Sequence, residues 1–261
     1  MRPSTFILVF ARLTRCFLIQ AILSTLTILL TRVPAFVKPF YPQLQRTFVK
    51  SLSDASSSVR NRAAAALGVL FLHQPRIEAI ITELTNLASS EQGEVRDAVV
   101  VGLANIVSSG GANLPDVAKS AIMDLINEAF AESNKGTNGH LKLDENLLTF
   151  YDLSETYNQA IAKLFGSLAQ HDIQLLEPVI SSHLVGPRLP TQLSSATILS
   201  IIELAPQALY DLNLSQEVVT IVLALSNPNQ APAISRPARE AKEAMKALPP
   251  WSLDDAVVSR L

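Results

Sequence analysis

The chain has 261 residues, of which 48% are hydrophobic, 17% charged and 6% aromatic. Its formal net charge of −2 excludes binding to polyanions through bulk charge alone. A single cysteine excludes an intrachain disulfide framework and any metal site built from several cysteines, and it fits a reducing compartment.

The first 32 residues are the most apolar part of the chain, and Pro34 marks their end. The spacing of their apolar residues predicts a buried helix of a soluble fold with one wide apolar face. A secretory signal or membrane anchor with Arg2 as its basic flank is the alternative. The uncharged stretch from Cys16 to Thr31 has 16 residues, fewer than the roughly 20 that a spanning helix needs. The residues of the predicted apolar face are Ile19, Ile22, Leu23, Leu26, Leu29 and Leu30.

The clearest pattern is an internal repeat. Residues 40–71 and 77–107 each predict two amphipathic helices joined by a short polar turn. The second helix of each pair carries the same five-residue pattern, displaced by 36 positions. One helix pair cannot bury its own apolar face, so such a period predicts a helical solenoid. The matching residues are Val59, Arg60, Ala63, Leu67 and Leu70, then Val95, Arg96, Val99, Leu103 and Ile106.

Three further helix pairs are predicted downstream. Their helices cover residues 113–131 with 157–169, 173–185 with 191–204, and 216–225 with 235–248. The segment 132–146 is polar and contains Gly136 and Gly139, which predicts a flexible loop. No alternation typical of strands occurs in the sequence.

The polar turn, the Val-Arg pair and the alanine-rich helix after it resemble the HEAT repeat. The predicted fold class is therefore all-α, a HEAT/armadillo-type helical-repeat solenoid of about five helix pairs with a leading half-repeat. Residues 1–32 form the half-repeat, and residues 33–261 form the solenoid.

The sequence offers little for catalysis. The four histidines have no metal-ligand spacing, and neither a phosphate-binding glycine loop nor a nucleophile elbow occurs. Cys16 lies in the apolar N-terminal helix and is predicted to be a small buried hydrophobe. We therefore predict no enzyme, with no catalytic residue, cofactor, metal or small-molecule substrate.

Charge is distributed unevenly. Residues 33–76 contain six lysines and arginines, and Asp54 is the one acidic residue among them. Such a surface attracts acidic protein or nucleic acid, although a solvated helix face without a partner has the same pattern. Arg60 could instead bridge to Asp54 or to the next repeat. The predicted partner-binding residues are Arg46, Lys50, Arg60 and Arg62.

Residues 26–84 carry a more specific resemblance, concentrated in VPAFVKPFYPQLQRTFVKS (33–51) and SVRNRAAAALG (58–68). They are similar to the C-terminal HEAT region of the general-control translational activator family. The resemblance implies a cytoplasmic scaffold that binds the ribosome and the N-terminal domain of the kinase that phosphorylates initiation factor 2. An arginine is essential for kinase binding in some members, and Arg46, Arg60 and Arg62 are its candidates here.

Members of that family are far longer, and residues 1–18 do not resemble them. A truncated gene product or an artefactual gene start would account for both features. Two other functions stay open: another HEAT adaptor, of the transport-receptor or tubulin-binding type, and a membrane-anchored or secreted helical protein. Because arginines interrupt the apolar run of the first 32 residues, we expect no membrane among the partners.

Overall fold

The computed structural model describes residues 3–72, 77–110, 114–138, 154–184, 191–207 and 215–246. Within these ranges the regular elements are all helical, so the predicted all-α class with HEAT-type repeats is confirmed. Two compact units divide the chain, residues 1–118 and 119–261. The predicted division into residues 1–32 and 33–261 stays a prediction.

The first unit begins with a long helix and continues with two helix pairs. α1 is Pro3–Arg32, and a short elbow follows, made of α2 (Pro34–Val37) and a 3-10 turn (Lys38–Phe40). The first pair is α3 (Tyr41–Ser51) with α4 (Ser57–Phe71), and the second is α5 (Glu78–Ser90) with α6 (Gly93–Gly110).

The second helices of successive pairs form the centre of this unit. α4 packs against both α6 and α1, while α3 and α5 each pack on the second helix of their own pair. The repeated apolar residues explain this arrangement, because Val59, Leu67, Val99 and Leu103 are all fully buried. α1 therefore packs on α4 from the side opposite to α6 in chain order, in the place of a neighbouring second helix.

The α4–α6 contact is close because one glycine allows it. A Cβ on Gly68 would lie 3.0 Å from Cβ of Asn105. The side-chain amide of Asn105 donates to the carbonyl oxygen of Ala64 over 3.1 Å. Gly93 starts α6 with φ of +61°, a conformation that other residues rarely adopt, and so allows the sharp turn after α5.

The second unit has the same organisation. Its helices are α7 (Asp116–Asn138), α8 (Glu155–Ala169), α9 (Ile173–Val179) continued by a π-helical turn (Ile180–Leu184), α10 (Gln192–Leu204), α11 (Ser215–Leu225) and α12 (Pro232–Lys246). α10 packs against α8 and α12, again a stack of second helices. Ser154, Asp172 and Thr191 cap α8, α9 and α10 by accepting hydrogen bonds from main-chain N–H groups of the first turn.

The loop predicted at residues 132–146 differs from the structure at its start. α7 continues through Asn138. The Phe130 ring stacks on that of His183, with centroids 4.9 Å apart. The side chains of Asn134 and His183 lie 3.5 Å apart. Residues 139–146 of the predicted loop lie outside the described part.

The burial predicted for α1 is wrong on one side. Leu23 and Leu30 are buried, but Ile22 and Leu29 are 48% and 41% exposed. The reason is that α4 is the main neighbour of α1 and covers a single face. The segment Thr14–Arg32 is long and apolar enough to cross a membrane, and 11% of it is buried. Core helices of soluble proteins and N-terminal signal sequences can have the same length and composition.

Candidate functional site

The outer face of α3 carries several exposed polar groups. Tyr41, Leu44 and Phe48 recur at helical spacing and bury the inner face. The opposite side is exposed and begins at Pro42. Its further residues are Gln43, Arg46, Thr47 and Lys50.

Arg46 and Lys50 lie on this face one turn apart, at i and i+4. Between residues 1 and 53 the chain contains no aspartate or glutamate, so nothing in that stretch neutralises them. In the described part of the chain, neither side chain takes part in a salt bridge. Two unneutralised cations on one exposed helix face attract anionic groups.

Arg62 lies elsewhere, on the side of α4 that faces α1. Its side chain is exposed, and Nη1 donates to the hydroxyl of Ser24. This hydrogen bond connects the two helices and directs the guanidinium along the α1–α4 boundary. Arg62 thus stays accessible, but on a different surface from Arg46 and Lys50.

Arg60 has a different environment from the other three predicted residues. It is 5% exposed. Its Nη1 donates to the carbonyl oxygen of Asp54 over 2.8 Å, and its Nη2 pairs with the carboxylate of Glu94. One donor therefore closes the α3–α4 turn and the other reaches the first turn of α6. The bridge considered from the sequence exists, and Arg60 connects repeats.

The structure consequently places the four predicted residues at three sites. Arg46 and Lys50 share the face of α3, Arg62 lies at the α1–α4 boundary, and Arg60 lies between α4 and α6. Two residues on one helix separated by two positions point to nearly opposite sides, which explains why Arg60 and Arg62 diverge.

Sequence reasoning missed the exposed phenylalanines of the elbow. Phe36 is 81% exposed and Phe40 is 59% exposed. The signal that could have identified them is the proline spacing around them, Pro34, Pro39 and Pro42. Prolines shorten the helical segments, so apolar side chains there cannot follow one continuous buried stripe.

Groups suited to reaction chemistry are sparse in the described part of the chain. No group of three or more His, Cys, Asp or Glu that could hold a metal occurs there. Cys16 is half-buried, not fully buried as predicted, and its Sγ lies 3.0 Å from Oγ of Ser56 and 3.0 Å from Nε2 of Gln20. The arrangement of cations favours binding of an acidic surface.

The chain is similar to several curated proteins. The chain is 34% identical over 219 residues to the eIF-2-alpha kinase activator GCN1 of Saccharomyces cerevisiae, which is 80% of this chain and 7% of that protein. It is 38% identical over 107 residues to the stalled ribosome sensor GCN1 of Homo sapiens, which is 41% of this chain and 4% of that protein. Protein ILITYHIA of Arabidopsis thaliana is 35% identical over 109 residues, which is 42% of this chain.

No protein-family model matches the chain, and no solved structure matches it. The chain spans 7% of the length of the yeast relative and 4% of that of the human one. The similarity to the yeast protein nevertheless runs through four fifths of the chain, and the repeat-carrying unit has the helix pairs that the resemblance implies. The chain belongs to the GCN1 family.

Proposed function

We propose that this chain is a non-catalytic scaffold of helical repeats that acts in translational control in the cytoplasm. It links the ribosome to the kinase that phosphorylates eIF-2-alpha, and it contacts the N-terminal domain of that kinase. The observation that carries the proposal is the 34% identity to the yeast kinase activator over 80% of this chain.

The exposed face of α3 supports a role in binding. Arg46 and Lys50 are exposed, lie one turn apart and have no acidic residue within the first 53 positions to neutralise them. Charges of one sign on an exposed face accelerate encounter with an acidic surface and weaken as salt rises. We assign kinase contact to Arg46 and Lys50, whereas Arg62 lies on the separate α1–α4 surface.

Arg60 has a positioning role in this proposal. Its guanidinium already binds the carbonyl of Asp54 and the carboxylate of Glu94. The residue is also only 5% exposed, which leaves little of it accessible to a partner. It holds α3 and α6 in place around α4, and the partner contacts the exposed cations.

The experiment is a pull-down of the kinase N-terminal domain by the full chain, repeated at two salt concentrations. Charge reversal in Arg46→Glu/Lys50→Glu should lower the affinity at least about tenfold, since each reversed rim charge costs roughly 1 kcal/mol. The parent chain should also bind more weakly at higher salt.

A matched control makes the same change in net charge on a different helix, α12. Arg236 and Lys246 are exposed cations on α12, so Arg236→Glu/Lys246→Glu has the same net charge as the test variant. This control should bind like the parent. Equal loss in both variants would show a general charge effect, and no binding by the parent chain would overturn kinase contact itself.

A further inference from the structure

Exposed apolar side chains are concentrated in one part of the described chain. Of the ten large hydrophobic residues that are exposed there, eight lie between positions 17 and 40. Phe17 is 68% exposed, Leu18 61% and Ile28 60%, and Phe36 in the elbow is 81% exposed. An apolar patch of this extent on a protein surface marks a contact site. The remaining four of the eight are Ile22, Leu29, Val33 and Phe40.

α1 has apolar side chains on two sides, because Leu23 and Leu30 are buried toward α4 while others stay exposed on the outward side. Cys16, Gln20, Ser24 and Thr27 are half-buried on the side toward α4, where Cys16 meets Ser56 and Ser24 meets Arg62. The outward side carries phenylalanine, leucine and isoleucine. Exposure of these side chains to water is unfavourable, because full burial of each contributes about 1.5–3 kcal/mol of free energy.

The exposed apolar residues form one strip. Phe17 and Leu18 are followed 11 positions later by Ile28 and Leu29, and about three turns of a 3.6-residue helix return to the same side. The strip lies on the exposed side of α1 and continues into the elbow through Val33 and Phe36.

Cations and the absence of acid define the chemistry around the strip. Arg15 and Arg32 stand at its two ends and Lys38 lies in the elbow, and all three are exposed. The first 53 residues contain seven Lys and Arg and no Asp or Glu. The partner surface is therefore apolar and anionic together.

A second copy of this chain fits these features poorly. Two strips packed antiparallel would bring Arg15 of one copy toward Arg32 of the other, and parallel packing would pair each cation with itself. Like charges brought together at a contact oppose association. An anionic phospholipid surface has the opposite charge and an apolar interior, and cytoplasmic leaflets carry such lipids.

The length of the strip favours lying on a bilayer over crossing it. The uncharged stretch from Cys16 to Thr31 has 16 residues, about 24 Å of helix, whereas the hydrocarbon core is about 30 Å thick. Packing on α4 also holds one side of α1 against protein. Helices with apolar and basic surfaces bind in the plane of the interface with one face inserted.

We propose that α1 and the elbow dock the chain on the surface of an anionic phospholipid bilayer. Phe17, Leu18, Ile28, Leu29 and Phe36 insert among the acyl chains near the headgroups. Arg15, Arg32 and Lys38 bind lipid phosphates. This surface is separate from the α3 face, so kinase contact and lipid contact can fail independently.

The test is co-sedimentation of the full chain with vesicles of phosphatidylcholine alone and of phosphatidylcholine mixed with phosphatidylserine. The parent chain should sediment with the mixed vesicles and much less with pure phosphatidylcholine. Phe17→Gln/Ile28→Gln should weaken binding more than about tenfold, because two side chains leave the apolar phase. Arg15→Gln/Lys38→Gln should weaken binding to the mixed vesicles about fivefold per cation and leave binding to phosphatidylcholine unchanged.

Leu72→Gln/Val117→Gln is the matched control, since both residues are exposed apolar side chains outside the strip. It should bind vesicles like the parent, and circular dichroism should show equal helix content in all variants. Failure of the parent chain to bind mixed vesicles would overturn the proposal. Equal weakening in control and strip variants would overturn it too, as would a stable dimer that loses its association in Phe17→Gln/Ile28→Gln and binds no vesicle.

Discussion

The guanidinium of Arg60, buried on α4, pairs with the carboxylate of Glu94 in the first turn of α6. The two side chains differ in environment, since that of Arg60 is 6% exposed and that of Glu94 is 79% exposed. The pair therefore joins two neighbouring repeats at the rim of their contact. Its arginine also binds the Asp54 carbonyl, so three segments meet at one side chain.

Removing this side chain should destabilise the first unit. In Arg60→Ala, the Asp54 carbonyl and the Glu94 carboxylate lose their donor, which should lower the free energy of unfolding by about 1–3 kcal/mol. Urea unfolding followed by circular dichroism measures the change. The exposed neighbour Arg62 is the control, and Arg62→Ala should cost about 0.5 kcal/mol or less. Equal effects of both substitutions would contradict the connecting role of Arg60.

Gly166 should be intolerant of a side chain. A Cβ at this position would lie 2.8 Å from the carbonyl oxygen of Ser200 and 3.1 Å from Cδ1 of Leu204. Gly166→Ala gains up to about 1 kcal/mol of helix propensity, but forcing α8 and α10 apart costs about 1–3 kcal/mol. The melting temperature should fall.

Gly110→Ala is the comparison, because the nearest atom to its Cβ among the described residues would be the carbonyl oxygen of Phe71, at 4.0 Å. This variant should melt at or above the temperature of the parent chain. A rise in melting temperature for Gly166→Ala would show that α8 and α10 pack more loosely than the structure indicates.

Acid should weaken the contact between Lys119 and Asp172. The hydrogen bond from Lys119 to the carboxylate, 2.7 Å long, lowers the pKa of Asp172 below its ordinary value, with burial acting in the opposite direction. A lowered folded-state pKa stabilises the fold above the ordinary pKa, and the stabilisation is lost as pH falls toward the lowered value. The loss should therefore occur below about pH 4.

Lys119→Met tests this pH dependence. The parent chain should be more stable than the variant at neutral pH by about 1 kcal/mol or less, and the difference should shrink as acid is added. Urea unfolding at a series of pH values measures it. Lys246→Met on α12 serves as control, because both Lys246 and its partner Glu243 are more exposed than the Lys119 pair. A difference that grows in acid would contradict the assignment.

The cap of α8 should contribute measurably to its stability. The hydroxyl of Ser154 accepts a hydrogen bond from the main-chain N–H of Tyr157 over 3.0 Å. Ser154→Ala should cost about 1 kcal/mol, and Ser154→Asp should retain most of the stability because a carboxylate also caps. Thermal unfolding of both variants would check it, and equal losses would exclude capping as the cause.

Much of the fold could be predicted because the residues that pack between repeats recur at a fixed spacing in the sequence. The pattern from Val59 to Leu70 recurs from Val95 to Ile106, and most of these positions are buried in the structure. Helix ends were less accessible to prediction. α7 runs past the expected loop start, and Asn134 in this extension contacts His183, a residue about fifty positions away.

By itself, the sequence determined that this protein is built from stacked helix pairs, that α3 carries an exposed basic face, and that its relatives are the GCN1 proteins. Periodicity indicates the helix pairs because it records which side of each helix avoids water, whereas the relatives are indicated by the resemblance of residues 33–51 and 58–68. Only the tertiary structure decided that Arg60 connects repeats while Arg46 and Lys50 stay exposed, and that α1 leaves part of its apolar surface exposed. The physical reason is that a pattern of apolar residues shows that a face needs a neighbour, whereas the packed fold shows which neighbour is there.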